Sequence, residues 1–371
     1  LLHIIGNSYQ LRIGGTVSTS TDVLGVGTQR RRTTLWLVSL TTGLLVTGLI
    51  AVGTGAIGIS PATVARIIAH QLLGAGDVTW TPPEEAIVWQ VRLPRVLLGI
   101  LVGAGLAVCG VALQAMVRNV LADPYLLGIN SGASSGAAAA ILFGAGAGFG
   151  QYALSTSAFL GAMAASLAVF LIARSGGRVT SIRLLLAGVA VGYALYATTS
   201  FLIFASGSAE GARSVMFWLL GSLGLARWDA LLAVAAVVIL GTTAYLTVTG
   251  RSLDALAVGD ETAHTLGISP DRLRIRLLVV VSLCVGVLVS ASGSIGFVGL
   301  VVPHLARRLV GAPHVRVVPV AALLGAILLV WADVIARVLL APQEIPIGII
   351  TALVGTPFLL ILIRRLHATA A

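Results

Sequence analysis

Apolar residues run through this chain in blocks about the length of a bilayer crossing, and polar positions collect in the short gaps between them. A spanning helix needs about 20 apolar residues. Blocks at 35–57, 96–117, 153–173, 184–205, 230–248, 277–292, 317–340 and 345–363 fit that requirement. A Gly-rich block at 126–143 and one interrupted by Pro303-His304 at 295–310 bring the crossings to ten. An even number leaves both termini on one side. The pattern predicts an all-α integral membrane protein: a domain over 34–366 between tails at 1–33 and 367–371.

Two connections exceed simple turns. The segment 58–91 holds Ser60-Pro61, a helix-start signal, followed by the amphipathic ATVARIIAHQLL (62–73). The segment 205–228 holds SVMFWLLGSLGL (214–225), apolar but too short to cross. It reads as a re-entrant half-helix, because irregular backbone at membrane depth must be shielded from lipid by protein. Glycines at 128, 132 and 136, and at 188 and 192, have the four-residue spacing that lets helix backbones approach closely. The same stripes would also suit the wall of a passage.

The longest polar gap is 251–276, RSLDALAVGDETAHTLGISPDRLRIR. It is too polar for hydrocarbon yet patterned for structure. Leu253 and Leu256 share a helical face, and Gly259 interrupts that helix. Asp260 and Glu261 then open a second helix, with acids at its positive end. Gly267 can close it, and Ser269-Pro270-Asp271 supplies cap, first-turn proline and acid for the next. Two short helices joined at a glycine form a surface for another protein to grip.

Composition sharpens this picture. Of 371 residues, 57% are hydrophobic and 10% charged, where a soluble domain carries about 25% charged. All 23 basic residues are arginine. With no lysine, neither a GxxxxGK[ST] phosphate loop nor a Schiff-base lysine is possible, so any ATP is hydrolysed by another subunit. With the N-terminus inside, 17 arginines fall on the cytoplasmic side, from Arg12 and Arg30-Arg31-Arg32 through Arg178 to Arg365. Six fall outside: Arg66, Arg92, Arg95, Arg213, Arg227 and Arg337. The positive-inside rule therefore favours an N-in/C-in arrangement with the polar gap in the cytoplasm. The net charge of +10 then needs no nucleic acid, and no soluble basic face with stacking aromatics is present to bind one. Cys109 and Cys284 lie inside apolar blocks and read as small hydrophobes rather than a disulfide framework.

Few residues carry candidate chemistry. Arg92 and Arg95 stand at the outer mouth of the second block; either Glu84 and Glu85 neutralise them or they form a positive patch for an acidic partner. Arg337 lies about 30 Å along its block, near the same surface, with Asp333 one turn earlier as its i,i+4 partner. Asp333 is the only acid in any block and sits toward an end, which argues against proton coupling at the midplane. His304, after Pro303, reads as a hydrogen-bonded structural group rather than a ligand. No metal site is expected.

Several ordered blocks give the chain a resemblance. VWQVRLPR (88–95), LADPYLLGINSGA (121–133), IRLLLAGVAVG (182–192), FWLLGSLG (217–224), LDALAVGDETAHTLGI (253–268), GSIGFVGLVVPHLAR (293–307) and ADVIARVLLAPQEIPIGIITALVGTPFLLIL (332–362) together resemble the FecCD-type permeases. These are membrane subunits of ABC importers for iron chelates, haem and vitamin B12, multi-pass proteins of the bacterial cell membrane. The resemblance implies a ten-helix subunit that pairs with a second copy, with the cargo path along the dimer interface and a cytoplasmic pair of coupling helices. It implies two copies of an ATPase subunit that uses ATP and Mg, no cofactor bound covalently here, and an extracytoplasmic binding protein. Arg92, Arg95 and Arg337 would receive that binding protein. Leu253, Leu256, Gly259, Asp260, Glu261, His264, Leu266 and Gly267 would meet the ATPase. Asn119, Leu121, Thr180 and Ser181 would form the inner gate, and Trp218 and Gly221 would line the path. The family's usual Asn-Pro-Leu-Ala is here Asn119-Val120-Leu121-Ala122, and the serine that often precedes the second gate threonine is Val179, so the gate turn is expected to be less rigid. Cargo is expected to be an iron chelate, a ferric siderophore or haem, as the family's commonest; vitamin B12 is the alternative. An ion-coupled secondary transporter and a membrane scaffold are the rival classes.

Overall fold

The computed structural model describes residues 26–368 except 56, 75, 76, 175, 176 and 178. Residues 1–25 and 369–371 of the expected tails lie outside the described residues, as do Arg12 and Arg178 of the charge count. The described residues form fifteen α-helices and no strand. Helix α1 (Val26–Gly53) begins inside the segment expected as a tail, so Arg30, Arg31 and Arg32 belong to its first turns. Arginine is a good helix former, and the Thr33 and Thr34 hydroxyls donate to the carbonyls of Gln29 and Arg30 at 2.9 and 3.1 Å. At 1.5 Å per residue α1 spans about 42 Å, longer than the roughly 30 Å hydrocarbon layer, so its arginines can project beyond it.

Helix α2 (Pro61–Leu73) starts where Ser60-Pro61 indicated, the Ser60 hydroxyl accepting from the Thr63 amide at 3.1 Å. Helix α3 (Pro82–Ala86) passes through a π-helical stretch, Ile87–Arg92, into α4 (Leu93–Val117). There follow α5 (Ile129–Phe143), α6 (Ala153–Arg174), α7 (Ser181–Ser206), α8 (Ala209–Leu219) and α9 (Ala230–Val248). The polar gap forms α10 (Gly250–Val258) and α11 (Asp260–Thr265). The chain ends with α12 (Pro270–Ser292), α13 (Val298–Val310), α14 (His314–Val338) and α15 (Ile347–Ala368).

Seven helical stretches among the described residues are long and apolar enough to cross a membrane: α1, α3–α4, α6, α7, α9, α12 and α14. The other three expected crossings, at 126–143, 295–310 and 345–363, hold α5 with 15 residues, α13 with 13, and α15, whose stretch Ile347–Leu362 is a shorter apolar helix. A 3₁₀ turn at Pro124–Leu127 and Gly128 at φ 70° delay α5. Phe297 at φ 69° ends an extended stretch before α13. The segment expected as a half-helix, 214–225, is helical only as far as Leu219: it forms the second half of α8, which packs on α5 and α7, and 220–225 is a loop.

Helix α4 is the axis of the bundle. In its apolar stretch 78% of residues are buried, against 17% in α1, because α9, α12, α13 and α14 all pack on it. The backbones meet at glycines. A methyl group on Gly103 would strike the Gly325 carbonyl of α14, and one on Gly110 would strike the backbone of Gly299 in α13. Gly132 meets Gly161, Gly136 meets the Ser157 carbonyl, and Gly188 meets the Leu126 carbonyl. The glycine stripes therefore serve helix packing. Cys109 and Cys284 are buried and unpaired by disulfide, as small apolar groups in the core.

Candidate functional site

The two ends of α4 divide the expected site residues. With 25 residues in α4, its ends lie about 37 Å apart. Arg92 and Arg95 stand at one end, and Asn119 and Leu121 follow the other. At the first end the structure gathers Arg92, Arg95 and Arg337, but not as an exposed patch. Arg92 is 7% exposed and donates to the carbonyls of Val52 at 3.0 Å, Gly53 at 3.1 Å and Ile57 at 2.7 Å. Arg337 is 8% exposed and donates to the Thr54 and Ala51 carbonyls at 2.8 and 3.1 Å. Both guanidiniums thus meet carbonyls at and just past the negative end of α1, where cations are favoured.

The expected i,i+4 pair exists: Nε of Arg337 lies 3.0 Å from Asp333 Oδ2, within ion-pair range though not aligned for a hydrogen bond. Arg95 joins the group from α4. Its Nε donates to Asp333 Oδ1 at 3.0 Å, and its Nη1 lies 3.0 Å from Glu344 Oε1. Glu344 is half exposed, so Arg95 is the arginine with a partner at the surface. Glu84 and Glu85 neutralise none of them. Glu84 accepts from the Thr81 amide and hydroxyl at 2.8 and 2.9 Å, while Glu85 accepts from Trp80 Nε1 at 2.9 Å and from Gln71. The capping box of α3 claims Glu84, and Trp80 with Gln71 of α2 claims Glu85.

Beside this cluster lies a cavity of about 840 Å³, reaching from Arg95 and Glu344 past Phe217, Trp218 and Gly221 to Trp228. The loop after α8 that forms its floor is tied by backbone bonds: the Ser222 amide donates to the Ser292 carbonyl at 2.8 Å, and the Gly348 amide to the Leu220 carbonyl at 3.0 Å. Gly221 sits at φ 75° against the Ser294 carbonyl, a place no side chain fits. Trp218 and Gly221 therefore belong to the arginine end, far from the other pathway residues.

At the opposite end the polar gap has the expected form, two short helices hinged at Gly259. Leu253 and Leu256 are fully buried and anchor α10 to the bundle, so they are not open to a partner. The exposed face carries Val258, Glu261, His264, Leu266 and Gly267. Gly267, at φ 75°, closes α11, its amide donating to the His264 carbonyl at 2.9 Å. Two carboxylates clamp the pair. Asp254 accepts from the His314 amide at 2.9 Å and from its Nδ1 at 2.5 Å. Asp260 accepts from both terminal nitrogens of Arg274, at 2.6 and 2.9 Å, and these bonds hold its carboxyl below the usual carboxylate range.

The gate segments meet the same knot. Asn119 closes its turn with its own side chain, Oδ1 accepting from the Leu121 amide at 2.9 Å. His304 Nε2 donates to the Val120 carbonyl at 2.9 Å, so the turn that lacks proline is pinned from α13. The structural reading of His304 holds. Thr180 is the N-cap of α7, and the Ser181 hydroxyl donates to the Met116 carbonyl of α4 at 3.0 Å. Sequence reasoning missed Arg274, which touches this serine and Asp260 alike; its only signal was a charge in the first turns of a long apolar helix.

A helical bundle with seven stretches able to cross a membrane, a charged cluster and cavity at one end, and a clamped pair of surface helices at the other is the architecture of a multi-pass membrane protein. The model of the FecCD transport family matches residues 43–365, and the chain belongs to that family. It is 45% identical to a cobalamin import system permease of Halobacterium salinarum over 78% of this chain and 77% of that one. It is 41% identical to an Fe(3+)-citrate import system permease of Bacillus subtilis, over 91% of this chain and 97% of the relative. A hemin transport system permease of Yersinia pestis is 42% identical over 77% and 86% of the two chains. A solved ABC transporter, assigned to the metal-chelate type and in an inward-facing conformation, superposes with a TM-score of 0.77 at 34% identity, covering 89% of this chain and 98% of its own.

Proposed function

We propose that this chain is the permease subunit of an ATP-driven importer that carries an iron chelate, a ferric siderophore or haem, into the cytoplasm by alternating access. The observation that carries the reading is the α10–α11 pair: a rigid, partner-sized surface on a chain whose lack of lysine denies it a phosphate loop of its own. Two ATPase subunits grip Glu261, His264, Leu266 and Gly267. ATP closes them, and the pair passes that movement to the helices. Ten crossings with both termini in the cytoplasm complete the topology, α5, α13 and α15 spanning with the help of their extended flanks.

A second copy of the chain completes the path. Ile182, Leu186, Val189, Tyr193, Tyr196, Ser200 and Phe204 are exposed along one face of α7 at three- and four-residue steps. Tyrosines in such a row suit a wetted wall facing a symmetric partner better than lipid. At the other end a loaded binding protein places carboxylates against Arg95, with Arg92 and Arg337 holding the platform beneath. Asp333, an acid inside α14, is already matched by two arginines, which disfavours an ion-coupled mechanism.

Vitamin B12 is the second reading, supported by the 45% identity to the cobalamin permease. The test is reconstitution with the cognate ATPase and binding protein, with ferric citrate, haem and cyanocobalamin offered side by side. ATP-dependent uptake of one identifies the cargo. Uptake without the ATPase would overturn the importer reading, and partner binding with no uptake of any solute would favour a scaffold.

A further inference from the structure

We propose that Arg274 is the positioning residue that transmits movement of the α10–α11 pair to the gate. Its guanidinium is fully buried, yet all five of its N–H donors are engaged. Nε donates to the Met116 carbonyl at 3.4 Å; Nη1 donates to the Val179 carbonyl at 3.4 Å and Asp260 Oδ2 at 2.9 Å; Nη2 donates to Ser181 Oγ at 3.1 Å and Asp260 Oδ1 at 2.6 Å. Those acceptors lie on different elements: the last turn of α4, the approach to α7, the first residue of α7, and the start of α11. Arg274 itself belongs to α12. One side chain on one helix therefore ties the coupling pair to both gate segments.

The chemistry makes this tie stiff. A guanidinium is planar, and its donors keep a fixed fork, so the acceptors cannot slide past one another without losing bonds. If α11 moved while the ends of α4 and α7 stayed still, a fully buried cation would lose either its carboxylate or its gate contacts. Breaking such a pair is far costlier than moving its parts together. The three segments consequently shift as one body. Arg118 reinforces the knot from the end of α4, 3.9 Å from Asp260 Oδ1. The clamp of Asp254 on His314 holds the far end of the pair to α14, so a push on α11 reaches Arg274 instead of merely tilting α10.

This inference rests on reading α10–α11 as the ATPase contact. Its test compares wild type, Arg274→Lys, Arg274→Gln and Asp260→Asn, each reconstituted with ATPase and binding protein. The readout is ATP hydrolysed per molecule imported, using whichever of ferric citrate, haem or cyanocobalamin the wild-type complex carries. Arg274→Gln is expected to raise that ratio at least tenfold with the ATPase still co-purifying. Arg274→Lys, which keeps charge but not the fork, should fall between. Should Arg274→Gln fail to fold, Asp260→Asn, which removes the charge and one of the two acceptors that Arg274 finds on α11, is expected to raise the ratio as well. A ratio within twofold of wild type in the folded variants, or loss of the ATPase from Arg274→Gln, overturns the role given to Arg274. A wild-type complex that imports nothing overturns the functional reading itself.

Discussion

Arg92 and Arg95 are three residues apart and face different tasks. Arg92 spends its donors on carbonyls at and just past the end of α1, and removing it takes the side-chain donor from the buried Val52 carbonyl. Arg92→Met is expected to cost about 1–3 kcal/mol, read as a lower melting temperature, with partner affinity little changed. Arg95 faces a half-exposed carboxylate. Arg95→Glu is expected to weaken binding-protein docking at least tenfold at low salt, with the deficit shrinking as salt rises. Unchanged affinity across salt would remove Arg95 from the docking surface. Asp260 adds a pH dependence. Its folded carboxyl is held below its ordinary value, first by the Arg274 hydrogen bond, so its contribution to stability is present above about pH 4 and lost as pH falls through the folded value. Thermal unfolding of wild type and Asp260→Asn should differ at neutral pH and converge on acidification.

At the scale of elements, α4 and its neighbours depend on contacts too close for a side chain. Gly110→Ala would drive a methyl group into the Gly299 backbone, which cannot rotate away. Overpacking of this kind costs about 1–3 kcal/mol, and a drop in melting temperature with retained helicity is the expected result. The polar helix pair was readable in the sequence because local signals fix it: glycine at the hinge, acids opening α11, and Ser269-Pro270 ahead of α12. The delayed starts of α5 and α13 were not readable. They follow from backbone at positive φ in Gly128 and Phe297, where hydropathy carries no signal. The charge partners were equally hidden, since nothing local distinguishes an arginine bound for carbonyls 40 residues away from one bound for Glu84.

For the molecule as a whole, the apolar blocks reveal a bundle, while the sidedness proposed for it rests on arginine placement alone. A fluorescent fusion that matures only in the cytoplasm is expected to light up at the C-terminus and stay dark when inserted in 58–91; the opposite result would break the ten-crossing topology. Labelling on the exposed face of α7 tests whether the proposed path or lipid covers it. A cysteine at Tyr196 should react with a water-soluble maleimide in the assembled transporter, whereas one at Leu240 of α9, exposed on an apolar surface, should not. Equal, slow labelling at both positions would mean that α7 faces lipid. The π-helical stretch before α4 sets a final constraint. A wide turn is in effect one residue added to an otherwise regular helix. Deleting Gln90 or Val91 would leave the α4 core, Arg95 included, in register while turning α3 by about 100°. Trp89 would swing away from Trp228, whose Nε1 now donates to its carbonyl at 2.6 Å. Chain length at this turn thus aims α3 and its loop independently of the arginine cluster, which stays with the bundle.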